Sequence, residues 1–232
     1  MNPKAGSDIY QRISHILKDN GIELFGVADL SGISGVPEAQ GVSFPRALSF
    51  AVPMNPRIMI GIKQGPNQAY AQEYTNINNK ITAVSAEIER FITGNGYHAK
   101  KLQTSKRTDP VNIKGDFPHK TAATLAGLGW IGRNCQLVTR RYGPWVRLGT
   151  VFTDLPVECG KPVDKSYCGK CTVCIEACPA GALGGSLWEP GIDRKKLLDV
   201  FCCDKWKKEN YYQFHKGHNC GICSAVCPFG KG

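Results

Sequence analysis

Cys168-Gly-Lys-Cys171-Thr-Val-Cys174-Ile-Glu-Ala-Cys178-Pro179 carries four cysteines at intervals of two, two and three residues, closed by a proline. Three thiolates so spaced grip one 4Fe–4S cubane, while the fourth is directed away to a second. Structural zinc also uses pairs of cysteines two residues apart, but its sites seldom add a third at the same interval followed by Cys-Pro. The run predicts iron–sulfur chemistry.

A second run, Cys220-Gly-Ile-Cys223-Ser-Ala-Val-Cys227-Pro228, repeats the later part of that pattern without its leading cysteine, because Gly217 and Asn219 stand where it would lie. The missing ligand must come from upstream, from Cys202 or Cys203. Exchanging the last cysteine of each run completes the count. Cys168, Cys171, Cys174 and Cys227 then serve one cluster, and Cys178, Cys220, Cys223 and one of the Cys202/Cys203 pair the other, as in a bacterial-type double-cluster ferredoxin. Cys135, Cys159 and the unused member of the pair are read as buried inert thiols. His215 and His218 precede Cys220, but with the thiolate count full they read as loop residues.

The rest of the chain is that of a folded protein. Its 232 residues are 42% hydrophobic and 21% charged, which excludes wholesale disorder and collagen-like structure. Eleven cysteines in a secreted protein would suggest a disulfide framework, but the count is odd and Met1-Asn2-Pro3-Lys4 opens no apolar signal core. No apolar run approaches the roughly 20 residues needed to cross a bilayer. A cytoplasmic protein without a membrane partner is expected, with its metal chemistry in the last third.

Toward the N-terminus, residues 8–20 place Ile9, Ile13, Ile16 and Leu17 on one helical face, with Ser7 or Asp8 as N-cap and Gly21 as the stop. Residues 24–30 and 47–52 read as strands. Across 67–93 the residues Tyr70, Tyr74, Ile77, Ile81, Val84, Ile88 and Phe91 recur at alternating spacings of four and three. That periodicity predicts a long helix packed on its own domain's sheet rather than a coiled-coil seam. A short helix is expected at 119–126, strands at 136–139 and 146–152, and a linker over 156–165. Helices and strands mix without strict βαβ alternation, so the fold class is α+β.

Charge is concentrated in the middle. Between His98 and Arg147 there are ten Lys/Arg and two acidic residues, so this segment carries +8 of the formal net charge of +10. An anionic partner fits such a segment: a phosphate-bearing cofactor, RNA or an acidic redox protein. A solvated basic face is the plain alternative. Gly127-Leu128-Gly129-Trp130-Ile131-Gly132 matches G-x-G-x-x-G in form, but that fingerprint needs a strand before it, and 119–126 is helix-like. A tight glycine turn approaching a flat cofactor, or simply the next strand, is the better reading.

The stretches Ala126-Gly-Leu-Gly-Trp-Ile-Gly-Arg-Asn134 and Gly143-Pro-Trp-Val-Arg-Leu-Gly-Thr-Val-Phe-Thr-Asp-Leu-Pro156 stand beside the cysteine runs and the His215-Lys-Gly217 approach to Cys220. Together they resemble the epoxyqueuosine reductase family, relatives of the reductive dehalogenases. The resemblance runs from Lys120 to Pro228. It implies a nitroreductase-like α/β domain over 1–157 that holds cobalamin, in preference to flavin. A double-cluster ferredoxin domain over 158–232 would feed it electrons from a low-potential donor. In the relatives the upstream cluster cysteine is followed three residues later by an aromatic, as in Cys203-Asp-Lys-Trp206, which selects Cys203 over Cys202. The resemblance also points to Lys120, Gly127, Gly129, Trp130, Gly132 and Arg133 as cofactor contacts.

Two departures from the family pattern matter. The family's proton-donating aspartate sits in a short Asp-Thr/Ser-x-Pro loop before the Gly-Leu-Gly-Trp stretch. Here the corresponding stretches read Thr108-Asp109-Pro110 and Asp116-Phe117-Pro118, making Asp116 and Asp109 the candidates, with His119 as a further proton source. Members that act on tRNA continue past the last Cys-Pro into a helical repeat domain, whereas this sequence ends at Gly232, so a small-molecule substrate stands beside tRNA. Two functions are expected: a reductase passing electrons through two clusters to a cofactor that reduces an organic substrate, or a non-catalytic ferredoxin-type carrier or reductive activator of a partner protein.

Overall fold

The computed structural model describes residues 3–38 and 41–230. In chain order its elements begin α1 (Pro3–Asp19), β1 (Leu24–Asp29), β2 (Arg46–Pro53), α2 (Pro56–Ile60), α3 (Gln68–Gly94), β3 (Ala99–Lys101) and α4 (His119–Leu125). They continue β4 (Trp130–Ile131), β5 (Leu137–Val138), β6 (Val146–Thr153), α5 (Val173–Glu176), α6 (Arg194–Leu197), α7 (Val200–Tyr211) and α8 (Ile222–Ala225). The mixture is α+β.

Contacts define two compact units: Met1–Val52 with Asn78–Leu128 and Arg147–Val163, and Pro53–Ile77 with Gly129–Val146 and Asp164–Gly232. The sequence reading divides the chain once, between 157 and 158; the contact units interleave instead. The reason is local to the second unit. Trp145 Nε1 donates to the Ser224 carbonyl at 2.8 Å, Arg133 to the Gly169 carbonyl at 2.8 Å, and the Met54 amide to the Trp145 carbonyl at 2.9 Å. Residues 129–146 thereby fold with the cysteine-rich segment rather than with their chain neighbours.

The first unit is built on a four-stranded sheet of order β1-β2-β6-β3, with β1 antiparallel to β2 and β3 antiparallel to β6. Helix α1 begins a turn before the expected cap, because Pro3 as first helical residue gives up only an N–H that would have no intrahelical partner. It ends as expected at Gly21, whose φ of +66° lets the Ile22 amide reach the Leu17 carbonyl at 2.9 Å. Phe50, Phe152, Ile13, Leu17, Ile81, Ile88 and Ile92 form its buried core, each contributing about 1.5–3 kcal/mol of burial. Of the long-helix stripe, Tyr70, Ile77, Ile81, Val84 and Ile88 are buried and Tyr74 is half-buried; at the last turn Ile92 is buried and Phe91 only half-buried. Residues 78–94 of α3 belong to this unit, tied to β3 by Lys101 Nζ on Glu89 at 2.7 Å and to β6 by Arg147 on the Asn78 amide oxygen at 3.0 Å.

In the second unit β4 and β5 form a short antiparallel hairpin pairing Trp130 with Val138 and Ile131 with Leu137, and α8 packs against α5 and α2. Among the described residues no helix is long and apolar enough to cross a membrane.

Backbone approach within the first unit's sheet is set by glycine. A Cβ at Gly149 on β6 would lie 2.1 Å from the ring of Phe50, which is fully buried on β2. Gly149→Ala should therefore destabilise the protein by about 1–3 kcal/mol, measured as a lower thermal midpoint. An unchanged midpoint would contradict this packing.

Candidate metal centres and their surroundings

Both cysteine runs fold by the same local rule. In the first, the Cys171 amide closes a turn onto the Cys168 carbonyl at 3.1 Å, with Gly169 at φ +55°. The single turn of α5 then carries Cys174, and the Cys178 amide bonds back to Ile175 at 3.1 Å before Pro179 stops the helix. In the second, Gly221 at φ +86° opens α8, which carries Cys223; the Cys227 amide bonds back to Ser224 at 3.2 Å, and Pro228 follows. A side chain at Gly221 would also meet Ile62, whose Cδ1 lies 2.6 Å from the Cβ position.

The packing of α5 on α8 gathers the thiols into two sets. Cys168, Cys171, Cys174 and Cys227 line one cavity, walled by Arg133, Asn134 and Val138 from the β4–β5 hairpin and by Phe229. Burial pushes the Cys174 and Cys227 thiols up to about 11, and the neighbouring thiols of the same set push the same way. The second set is read from its electrostatic neighbours. The Cys223 thiol is raised first by burial and then by Cys220, Cys203 and Cys178, with Cys174 of the first set acting last, and Cys220 likewise faces Cys203 and Cys178. Burial also raises Cys203, with Lys207 acting in the opposite direction and Cys178 again beside it.

Helix α7, which the sequence reading did not anticipate, separates the adjacent pair. Asp199 caps it, accepting from the Phe201 and Cys202 amides at 3.0 and 2.9 Å. Successive helical residues point about 100° apart, so Cys203 faces Cys178 while the Cys202 thiol donates to the Ala180 carbonyl at 3.1 Å.

Four soft sulfur donors per set suit iron–sulfur or zinc chemistry. Among the described residues no three His, Cys, Asp or Glu side chains are gathered closely enough to hold a single metal ion. Thiols spread around a shared cavity fit a cluster in which each iron takes its own thiolate. Next to Cys220, the buried Asn219 has neither amide atom hydrogen-bonded, a polar group of the kind that bound clusters engage.

The three other cysteines lie apart. Cys135 is buried with Ile131 and Leu197, Cys159 is half-buried beside the Val157 carbonyl, and Cys202 is bonded as above. His215 is bonded to the Ala71 carbonyl at 2.9 Å and packs on Tyr74, a loop role.

The residues expected to meet a flat cofactor are largely occupied by this chain's own packing. Gly127, at φ +79°, ends α4 in a turn where the Leu128 amide reaches Ala123 at 2.9 Å. A Cβ on Gly129 would lie 2.2 Å from the Val138 carbonyl, and one on Gly132 would lie 2.7 Å from the Val138 side chain and 3.5 Å from the Cys168 sulfur. Trp130 is buried edge-on to Tyr167 and Phe229, with ring centroids 5.3 and 5.1 Å away. A corrin finds no open face on Gly129, Trp130 or Gly132. Arg133 lines the cysteine cavity, and Lys120 is half-buried in the first turn of α4. The glycine pattern thus makes a turn and the next strand, and brings the hairpin against the metal-site wall.

The proton candidates differ in commitment. Asp109 accepts from the Asn112 amide at 2.9 Å and side chain at 2.7 Å, and those bonds hold its carboxylate below the usual range. Asp116 is exposed and makes no side-chain hydrogen bond among the described residues. His119 bonds through Nδ1 to Thr150 at 2.8 Å, while Nε2 is enclosed without a hydrogen-bond partner. Burial lowers its pKa from 6.5 to about 4, the Gln103 carbonyl opposing and the Arg147 charge assisting. His119 is therefore neutral at physiological pH and holds no proton to give as an imidazolium. Because its folded pKa is depressed, the stability it supports is full above pH 6.5 and falls as the pH drops toward 4. An NMR titration should place its ring midpoint near 4; a midpoint at the ordinary histidine value would contradict the enclosure described.

Residues 167–230 match the 4Fe-4S double cluster binding domain family. The epoxyqueuosine reductase of Gloeobacter violaceus is 33% identical over 178 residues, covering 68% of this chain and 54% of that protein. The chain thus spans about half the length of this curated relative. Among solved structures, a reductive dehalogenase described with a mechanism for B12-dependent dehalogenation superposes with TM-score 0.72 at 20% identity, over 95% of this chain and 31% of that one. An epoxyqueuosine reductase with an epoxyqueuosine-modified tRNA stem loop superposes with TM-score 0.59 at 19% identity, over 97% of this chain and 66% of that one. The chain is thus similar in sequence to epoxyqueuosine reductases, shares the fold of those enzymes and of reductive dehalogenases, and over residues 167–230 matches the 4Fe-4S double cluster binding domain family.

Proposed function

We propose that this chain is an iron–sulfur oxidoreductase of the epoxyqueuosine reductase type, drawing electrons from a low-potential donor in the cytoplasm. The observation that carries the reading is the sorting of eight thiols into two sets, Cys168, Cys171, Cys174 and Cys227 against Cys178, Cys203, Cys220 and Cys223. Each set would hold one 4Fe–4S cluster. Such clusters, once bound, accept and release single electrons. The chain's own part is to pack α5 on α8 and to wall the first site with the hairpin.

The proposed substrate is an oxidised organic group, the epoxide of epoxyqueuosine in tRNA being the form named among its relatives and a small molecule the other form. The basic 98–147 segment supports an anionic substrate, although Lys101 and Arg147 are already engaged with Glu89 and Asn78. Cobalamin as the organic cofactor is supported by the likeness to the dehalogenase alone. Because Gly129, Trp130 and Gly132 offer it no open face, no step is built on it. Of the three proton candidates, Asp116 is the one left uncommitted, and we assign proton delivery to it.

Anaerobically purified protein should hold two clusters' worth of iron and sulfide. Cys203→Ala should lose one cluster's worth of iron while Cys202→Ala keeps both; equal iron in the two variants would overturn the ligand set. Asp116→Asn should lower reduction of an epoxyqueuosine-bearing stem loop by about 100-fold or more with iron content unchanged. Full turnover in that variant would remove Asp116 from the role, and no reduction of either substrate form by the iron-loaded wild type would favour an electron carrier.

A further inference from the structure

We propose that Arg133 sets the reduction potential of the cluster held by Cys168, Cys171, Cys174 and Cys227, holding it above the value the four thiolates would give alone. The inference rests on the proposed ligand set.

Arg133 occupies the turn of the β4–β5 hairpin, between Gly132, whose amide bonds to the Gln136 carbonyl at 2.9 Å, and Asn134. It lines the same cavity as the four thiols. Its guanidinium is fixed at one end: Nη2 donates to the carbonyl of Gly169, inside the Cys168–Cys171 turn, at 2.8 Å. Its Nε, by contrast, is fully enclosed and has no hydrogen-bond partner. No carboxylate pairs with Arg133 among the described residues.

Arg133 is half-buried, but its enclosed Nε–H is left unpaired, which is costly. The cavity's sulfur-rich occupant would relieve that cost. Reduction adds one electron to a site already ringed by four thiolates. A fixed positive charge and a spare N–H donor at its wall stabilise that extra negative charge, which raises the potential. Gly132 makes this approach feasible, since a side chain there would come within 3.5 Å of the Cys168 sulfur and collide with Asn134. Arg133 is thus a positioning and tuning residue, acting through the cluster rather than on substrate.

The test is a redox titration of iron-loaded protein followed by EPR, comparing wild type with Arg133→Gln and Arg133→Lys. Arg133→Gln keeps a donor for Gly169 but removes the charge. At a fixed applied potential it should lower the reduced-to-oxidised ratio of one cluster about tenfold, equivalent to about 59 mV for a one-electron couple, and leave the other cluster unmoved. Arg133→Lys, which keeps the charge, should stay within about threefold of wild type. Full iron with both midpoints unchanged in Arg133→Gln would overturn the proposal. If Arg133→Gln loads only one cluster, Arg133→Lys decides: a fully loaded lysine variant shifted tenfold would refute the charge argument, and one held near wild type would support it. Wild-type protein that binds no more than one cluster would instead refute the ligand set itself.

Discussion

Bringing eight thiols together, two of them buried and six half-buried, is the constraint around which the second unit is organised. Burial alone raises Cys174, Cys227, Cys203, Cys220 and Cys223, and each set's members push one another further in the same direction. A protein gains little from such an arrangement as thiols, because each is a weak donor and a weak acceptor. As thiolates the same groups would repel one another in a medium of low dielectric constant. Iron removes both objections, since its charge offsets theirs and its bonds replace those that water would have made. Metal binding in such a site is inseparable from folding of the segment that carries it.

The remaining architecture serves close approach to that region. Gly129, Gly132 and Gly221 stand where a single methyl would meet backbone or side chain, and each is a point at which one segment of the second unit rests on another. The hairpin contributes more than a wall. Its Asn134 amide reaches the Cys223 carbonyl at 3.3 Å, while its Arg133 reaches the other cysteine turn at Gly169. Two adjacent hairpin residues thus hold both cysteine runs.

Much of this was legible in the sequence. The two Cys-Pro runs announce the double-cluster binding domain, and the alternating spacing in 67–93 predicts α3 to within a residue at each end. Gly21 was readable as a stop because its neighbours carry the helical pattern up to it. What escaped was whatever depends on contacts distant in the chain. Helix α7 has little amphipathic pattern, and its best signal, Asp199 as cap, is easily lost beside two cysteines. The interleaving of the units follows from Trp145, Arg133 and Met54 finding partners far along the chain, which no local pattern encodes. The glycines of 127–132 were visible, but not that their neighbours are Lys161 and Val138 of the same chain. The neutrality of His119 likewise needs its enclosure, and sequence alone made it look like a proton source.

The crossed ligand pattern has a consequence for how the protein is made. In the proposed sets Cys227 joins three thiols translated long before it, and Cys178 waits for partners on α7 and α8. Neither site can be completed by a chain still lacking its last cysteine run. The closing contacts are separated by long stretches of sequence, so they form late and slowly compared with the local turns that prepare them. Iron is thus best delivered to a finished polypeptide, and until delivery the cell must keep a nearly complete set of reduced thiols from oxidising one another.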